Sequence, residues 1–308
     1  MGLDVTATAA ASHSAFGLTI QSELKFPELP LLDAVGTDMA DVRVTLGEVD
    51  HPTLVRADSG SVVYAGPAEY YLTFDLVDIA IRDGREVVVS PTGDVPNEIL
   101  RHVVLGPAFN HLLHQRGHFV LHGSVVEVDG AAVAFLGESG QGKTTTAMAF
   151  LLDGHRVLSD DVTPVVTGRD GPAVRSGYPA IKLDSEVVDR FDVPVGEPQH
   201  ICDRREKHFY PLPYDQPADP VPLDRVYVLA DADRVAISEV TAARRVMTLV
   251  ENTYTIGLLD DDATASSNFS QCASLASAIP VKRLERPRDF NTLPQLVERV
   301  IDDLETPC

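Results

Sequence analysis

The sequence predicts an α/β protein of two domains, in which a β-rich α+β domain precedes a mixed α/β domain. The chain has 308 residues, whereas a single hydrophobic core rarely grows beyond roughly 250 to 300 residues. Short alternating apolar runs dominate the chain before Pro96, and a regular order of strand, loop and helix begins at Phe119. A helical period separates the two patterns, so we expect domains at 1–116 and 117–308.

The N-terminal domain is predicted from short runs of alternating hydrophobicity separated by turn residues. These runs are 16–21, 42–47, 61–66 and 70–76. Residues 79–90 form a β-hairpin pattern, because Asp83-Gly84 supplies turn chemistry between two alternating runs. Residues 96–116 then repeat apolar positions at helical spacing, which predicts a helix that ends the domain.

The C-terminal domain begins with a pattern of strand, turn, strand, glycine-rich loop and helix. The two strands lie at 119–128 and 131–137, and Gly154 is a plausible helix stop. Such an order is typical of an α/β nucleotide-binding unit. Further along we expect two short strands within 155–166, an exposed excursion at 195–222, a strand pair at 225–230 and 234–240, and helices at 242–251, 263–277 and 293–304.

Composition excludes several classes of partner and compartment. The net charge is −21, and such a negative field repels nucleic acids and anionic membrane surfaces. The three cysteines are too widely spaced for a disulfide framework or a CxxC metal pair. The sequence has neither a signal-peptide pattern nor an apolar run of about 18 residues. We therefore expect a cytoplasmic protein with no nucleic-acid or membrane partner.

The strongest motif is the phosphate-binding loop at 137–144, GESGQGKT, which matches G-x-x-x-x-G-K-[ST] in full. Its glycines let successive backbone N–H groups turn toward phosphate oxygens, and the following helix directs its positive end at the same anion. An apolar strand before the loop and an apolar helix after it support the prediction of ATP binding. The predicted nucleotide-binding residues are Gly137, Glu138, Ser139, Gly140, Gln141, Gly142, Lys143, Thr144 and Thr145.

A second candidate group is the acidic pair Asp160-Asp161, at the end of a short β-run. Two adjacent acids are common in solvated turns, but a phosphate loop upstream favours a catalytic interpretation. Because neighbouring side chains point to opposite sides of a strand, one carboxylate could face Mg2+ and the other a substrate hydroxyl. This pair favours phosphoryl transfer over simple nucleotide binding.

Together, His122-Gly123, the loop GESGQGKTTTA and the segment GHRVLSDDV resemble the catalytic core of the HPr kinase/phosphorylase family. The P-loop domain of that family is similar to that of phosphoenolpyruvate carboxykinase. The segments 15–29 and 105–126 and the stretch from Pro222 also resemble stand-alone HPr-kinase-like proteins of biosynthetic pathways. The resemblance implies a kinase domain at the C-terminus and an accessory or substrate domain at the N-terminus.

The resemblance also implies roles for individual residues. Lys143 and the loop amides would bind the phosphates, Thr144 and Asp161 would bind Mg2+, and Asp160 would be the base for the incoming hydroxyl. His122 would lie beside that base, although a lone histidine of this kind is as often a packed core residue.

The remaining candidate for a phosphoryl or substrate contact is the basic cluster in the excursion that contains Arg205 and Lys207. Stand-alone relatives carry a lysine in this region, so Arg205 or Lys207 could neutralise the transferred phosphoryl group. An exposed charged loop is the alternative interpretation. The resemblance further implies a homo-oligomer.

The leading functional hypothesis is a Mg2+-dependent kinase that transfers the γ-phosphoryl group of ATP to a hydroxyl. The acceptor would be a serine of a peptide or protein, or a small alcohol. A regulatory switch or scaffold that only binds and slowly hydrolyses ATP is the main alternative. A carboxykinase-like enzyme acting on a small acid is a third possibility.

Overall fold

The structure is a computed structural model that describes residues 10–33, 39–50, 61–65, 68–168, 171–198, 207–253 and 262–306. The chain divides into two compact units, Met1–Gly117 and His118–Cys308. Both combine helices with β-sheet, and the second carries most of the helices. The predicted α/β fold class is therefore confirmed.

The N-terminal unit is built on one seven-stranded sheet with the order β1-β2-β3-β7-β6-β5-β4. Its strands are β1 (Ala11–Ala15), β2 (Leu18–Ser22), β3 (Val42–Leu46), β4 (Ser61–Ala65), β5 (Glu69–Thr73), β6 (Val77–Arg82) and β7 (Glu86–Pro91). The hairpin predicted at 79–90 is confirmed as β6 and β7. Asp83 and Gly84 have φ of 51° and 60°, as a tight hairpin turn requires. The first predicted strand instead contains a turn at Phe16-Gly17.

The helix predicted at 96–116 is confirmed with one interruption. It consists of α1 (Asn97–Val103), a π-helical turn (Val104–Ala108) and α2 (Phe109–Gln115). Pro107 lies inside the π-helical turn and has no N–H to donate to the helical ladder. At Pro107 the helix therefore widens into a π-helical turn and then continues as α2.

The C-terminal unit carries a second seven-stranded sheet with the order β11-β10-β8-β9-β14-β16-β15. Its strands are β8 (Phe119–Val128), β9 (Ala131–Leu136), β10 (Arg156–Gly168), β11 (Gly171–Val174), β14 (Val221–Asp231), β15 (Ala236–Glu239) and β16 (Val281–Arg286). β11 also pairs with β14, so five of the strands close into a ring. A separate two-stranded sheet is formed by β12 (Ala180–Asp184) and β13 (Lys207–Pro211).

Five α-helices lie in the part of the C-terminal unit that is described. They are α3 (Lys143–Leu152), α4 (Ser185–Phe191), α5 (Ala242–Glu251), α6 (Asp262–Ala278) and α7 (Leu293–Glu305). One hydrophobic core joins Phe135 of β9 to Phe150 of α3, with ring centroids 5.3 Å apart, and extends to α7. The opposite core packs Leu136 against residues of α5 and α6. Successive residues of β9 thus enter different cores, as strand geometry requires.

Two sequence predictions about strand connections are wrong. The acidic pair does not join two short strands, because β10 runs through it as one strand of 13 residues. β10 bends at a register shift between Val157 and Ser159, and Asp161 has a positive φ. Because of this bend, the strand can include the acidic pair and remain paired with β8. β14 and β15 do not pair with each other either, because β16 lies between them and pairs with both.

The helices predicted at 242–251, 263–277 and 293–304 are confirmed as α5, α6 and α7. The excursion at 195–222 contains β13, which the sequence did not predict. Residues 199–206 of that excursion lie outside the described residues. Among the helices that are described, none has the length and apolar character needed to cross a membrane.

Candidate functional site

The glycine-rich loop joins the end of β9 to the start of α3. Gly140 and Gly142 have φ of 83° and 78°, a left-handed region that other residues rarely adopt. A Cβ atom on Gly142 would also collide with the guanidinium of Arg286. Since α3 begins at Lys143, its unpaired amides and positive dipole end lie at the loop. This arrangement is a ready anion-binding site.

The loop holds its curl through its own residues. The Glu138 N–H donates to Oε1 of Gln141 at 3.1 Å, and the Gln141 N–H donates to the Glu138 carbonyl at 3.2 Å. Glu138, Ser139 and Gly140 are exposed at its crest, and Thr145 is half-buried in the first turn of α3. The structure therefore brings the predicted nucleotide-binding residues into one loop and one helical turn, with the crest open to a ligand.

Lys143 folds back over this loop. Its Nζ donates to the Gly137 carbonyl at 2.8 Å and to the Glu138 carbonyl at 3.3 Å. Burial lowers the pKa of Lys143, while the charges of Asp161 and Asp160 act in the opposite direction. The ammonium group thus lies between the loop and the acidic pair, where it can bind phosphate oxygens.

Asp160 lies on β10 and is buried among three hydrogen-bond donors. Its Oδ1 accepts from the Ser124 hydroxyl at 2.6 Å and from the Thr144 hydroxyl at 2.9 Å, and its Oδ2 accepts from the Lys182 N–H at 3.2 Å. Burial, followed by the charge of Asp161, raises the pKa of Asp160 to about 6. Because Thr144 is the last residue of the phosphate-loop motif, this contact ties the acidic strand directly to the loop.

Asp161 has a different environment, although it is the next residue. It is half-buried and has a φ of 73°, which breaks the simple alternation of side chains along a strand. It lies opposite Gly123 of β8, next to His122. Burial lowers the pKa of His122, as does the charge of Lys143, while the charge of Asp161 and a hydrogen bond that the ring donates to the Asp161 backbone act in the opposite direction. His122, Lys143 and Asp161 therefore form one electrostatic group.

Lys207 is the first residue of β13 and acts electrostatically on Lys143, whose pKa it helps to lower. Two ammonium groups in mutual range form a site that favours an anion. Arg205, the other predicted phosphoryl contact, lies outside the described residues.

Two residues of the site were not predicted. Asn252, at the end of α5, accepts the Gly137 N–H on its Oδ1 at 2.9 Å and receives the His122 N–H on its carbonyl oxygen at 2.8 Å. Arg286, at the end of β16, is buried and donates through Nη2 to the Gln141 carbonyl. Both support the loop from distant parts of the chain, and nothing in their local sequence signals this role.

A cleft of about 870 Å³ opens beside the phosphate loop. Its walls come from the loop, from β14 and from the α5 region, including Val228, Thr241, Thr248 and Asn252. The cleft also includes His122 of β8, the strand between β9 and β10, whereas Asp160 of β10 is not among its lining residues. A ligand in the cleft would therefore have to extend past the loop to reach Asp160.

The donor set fits Mg2+ that arrives with a nucleotide. Within the described ranges, no group of three or more His, Cys, Asp or Glu side chains is placed to hold a metal ion unaided. Mg2+ at nucleotide sites commonly takes one or two carboxylates and completes its shell with substrate phosphates and water. Thr144 and Asp160, whose oxygens are 2.9 Å apart, supply a hydroxyl and a carboxylate at one point.

Comparison with known proteins gives partial matches to HPr kinase/phosphorylases. The chain is 33% identical over 117 residues to the HPr kinase/phosphorylase of Prosthecochloris aestuarii, covering 38% of this chain and 31% of that protein. It is 44% identical over 61 residues to the enzyme of Lactobacillus delbrueckii subsp. bulgaricus, covering 20% of this chain and 19% of that protein. The chain thus matches less than a third of the length of these relatives. No family model matches the chain.

Among solved structures, the Hpr(Ser) kinase/phosphatase from Coxiella burnetii aligns with a TM-score of 0.30 and 13% identity. That alignment covers 61% of this chain and 99% of the other. Both proteins matched by sequence are HPr kinase/phosphorylases. The chain is therefore similar to HPr kinase/phosphorylases over part of its length.

Proposed function

We propose that this chain is a Mg2+- and ATP-dependent kinase that transfers the γ-phosphoryl group to a hydroxyl of a peptide, a protein or a small alcohol. The observation that carries the proposal is the 2.9 Å contact between the Thr144 hydroxyl and Asp160. It joins a phosphate loop to an acidic strand at the point where metal and phosphate meet in other phosphoryl-transfer sites. The sequence relationship to HPr kinase/phosphorylases supports the same reaction class.

The loop amides and Lys143 would bind the phosphate groups. Lys143 now donates to two carbonyl oxygens of its own loop, and these bonds can be exchanged for phosphate oxygens of higher negative charge. Lys207 would add a second positive charge where the transferred group gains its new bond. Catalysis by such groups consists mainly of positioning and charge neutralisation.

The geometry favours an exchange of the roles predicted for the two aspartates. Asp160 already accepts three hydrogen bonds and is buried, so it has little room for an incoming hydroxyl. We assign Asp160 with Thr144 to Mg2+, which when bound neutralises charge on the phosphate oxygens. We assign the more accessible Asp161 as the base, with His122 beside it.

In the proposed reaction, the acceptor oxygen forms a bond to the γ-phosphorus and the bond from that phosphorus to the ADP oxygen breaks. The acceptor proton passes to Asp161, as general base catalysis requires. The nucleoside would occupy the cleft of about 870 Å³, a volume in the range of small-molecule sites. The N-terminal unit is proposed as the accessory domain that recognises the acceptor.

The direct test uses γ-labelled ATP with a panel of acceptors that includes serine peptides, purified HPr and small alcohols. Wild type should transfer label to an acceptor, and Asp161→Asn should lose transfer while still binding Mn2+ with a non-hydrolysable ATP analogue. Asp160→Asn should lose the Mn2+ binding. Asp153→Asn, on an exposed acid at the end of α3, is the matched control.

Label that appears only as inorganic phosphate, whichever acceptor is present, would favour the ATP-hydrolysing switch. Mn2+ binding that survives in Asp160→Asn and disappears in Asp161→Asn would reverse the role assignment. Unchanged transfer in both variants would falsify the proposal as a whole.

A further inference from the structure

We propose that Tyr214 and Gln216 are positioning residues that clamp a β-bulge in β10 and thereby aim the acidic pair at the phosphate loop. The proposal rests on the function proposed above. It concerns the segment between β13 and β14, which no sequence motif connects to catalysis. The residues act through the backbone of β10 and do not touch the reacting groups.

The bulge lies just before the acidic pair. In the pairing of β10 with β8, Val157 lies opposite Val126 and Ser159 lies opposite Val125, so Leu158 is an extra residue. An extra residue changes which side of the strand the following side chains face and increases the local bend. Two residues later, Asp160 meets Thr144. The bulge therefore determines whether the carboxylate faces the loop.

Backbone groups at this bulge are satisfied from outside the sheet. The Val157 N–H donates to Oη of Tyr214 at 2.6 Å, and Nε2 of Gln216 donates to the Val157 carbonyl at 3.0 Å. The Gly177 N–H donates to the Leu158 carbonyl at 2.8 Å. Two side chains from one short segment thus hold both polar groups of a single residue, which is the geometry of a clamp.

The Tyr214 side chain is itself held in place. Its ring packs against the core shared by β9 and α3, and the Arg156 guanidinium lies 5.7 Å from the ring centroid. Burial raises the pKa of Tyr214 to about 12, so its hydroxyl stays neutral over the working pH range. A neutral, packed phenol accepts from Val157 without introducing a competing charge near the acidic pair.

A merely structural role would lower stability without altering metal binding, so the test measures the metal directly. The variants are Tyr214→Phe, which removes one hydroxyl, and Gln216→Leu, which removes one amide. Tyr210→Phe removes the hydroxyl of another buried tyrosine, on β13, and is the matched control. Mn2+ binding to the full chain with a non-hydrolysable ATP analogue is followed by electron paramagnetic resonance, and metal-free binding of the analogue by calorimetry.

We expect Tyr214→Phe and Gln216→Leu each to weaken Mn2+ binding about tenfold, as for loss of a buried hydrogen bond, and to alter the Mn2+ spectrum. Metal-free binding of the analogue and the Tyr210→Phe control should match wild type. If either variant fails to fold, the other decides.

Wild-type Mn2+ affinity and spectrum in the folded clamp variants would overturn the positioning role. Failure of the proposed function has a different signature. In that case wild type itself binds no Mn2+ with the analogue, or neither Asp160→Asn nor Asp161→Asn changes the transfer of label.

Discussion

The N-terminal unit and the phosphate-loop region of the C-terminal unit both bury ionisable side chains, but the partners of those side chains differ. In the N-terminal unit, Arg101 and Glu28 form a buried pair at 2.7 Å, and His111 is packed against the Pro107 carbonyl. In the C-terminal unit, Lys143 donates hydrogen bonds to two loop carbonyls. Burial and the charge of the neighbouring Asp161 raise the pKa of Asp160 to about 6.

This difference in partners distinguishes buried groups that stabilise the fold from buried groups that are available to a ligand. Arg101 and Glu28 neutralise each other, and His111 is hydrogen-bonded to a backbone carbonyl, so these charges and this ring have partners within the unit. The charges around the phosphate loop are held by backbone carbonyls and hydroxyls that a ligand can replace, and two acids and two lysines lie within electrostatic range there. Such an arrangement costs stability and is typical of a site prepared for a ligand. Substitutions near the phosphate loop should therefore change mainly the kinetics, and substitutions of buried groups in the N-terminal unit should change mainly the stability.

The largest effect is expected for Lys143→Ala. Loss of a preorganised cation on the phosphates should lower kcat/KM of label transfer roughly a thousandfold. Stability should be unchanged or higher, because burial disfavours the charged form of Lys143 and the variant removes it. Steady-state kinetics and urea unfolding check both parts. Lys25→Ala, on an exposed lysine of the N-terminal unit, is the control, and a large stability loss without a kinetic effect would contradict the comparison.

A smaller loss is expected for Thr144→Val, which keeps the shape of the side chain and removes the hydroxyl that reaches Asp160. Activity should fall roughly a hundredfold and the Mg2+ requirement should rise, because one metal ligand is gone. The Mg2+ dependence of kcat measures this. Thr146→Val, in the same turn of α3, removes a buried hydroxyl that donates to the Gly142 carbonyl and should behave as wild type. Equal effects of the two substitutions would show that the loss comes from packing.

Low pH should destabilise the N-terminal unit because it favours protonation of the buried His111. Burial lowers its pKa to about 4, from about 6.5 in the unfolded chain. The unfolded state therefore binds more protons in this range, so stability is fully present above pH 6.5 and is lost as the pH falls toward 4. Between about pH 7.5 and about pH 5 this amounts to roughly 2 kcal/mol.

His111→Gln should remove that acid sensitivity, as measured by urea unfolding at both pH values. His155→Gln, on a histidine that pairs with Asp153 in the other unit, is the control. Asp160 works with the opposite sign, since its raised pKa means that its contribution to stability increases as the pH falls from 6 toward 4. Acid lability that persists in His111→Gln would place its origin elsewhere.

Several elements followed from the sequence because their signals are local. The loop at 137–144 needs only glycines at left-handed positions and a helix that starts at Lys143, and these lie within eight consecutive residues. The hairpin at Asp83-Gly84 is equally local. The pairing of β16 between β14 and β15 was missed because strand order depends on contacts between residues far apart in sequence.

The candidate site divides in the same way. Sequence motifs identified Lys143, Thr144 and the acidic pair, but not how the two acids differ. That difference comes from the bulge at Leu158 and the positive φ of Asp161. Asn252 and Arg286 were missed because a lone asparagine or arginine carries no signal until the fold brings it to the loop.

By itself, the sequence determined that the chain has an α/β fold and a glycine-rich turn between a strand and a helix, because glycine spacing and hydrophobic period act over a few residues. Tertiary structure alone decided which carboxylate meets the Thr144 hydroxyl and which remains accessible. The physical reason is that a one-residue shift in strand register redirects every following side chain, and only the packing of distant segments against β10 selects the register.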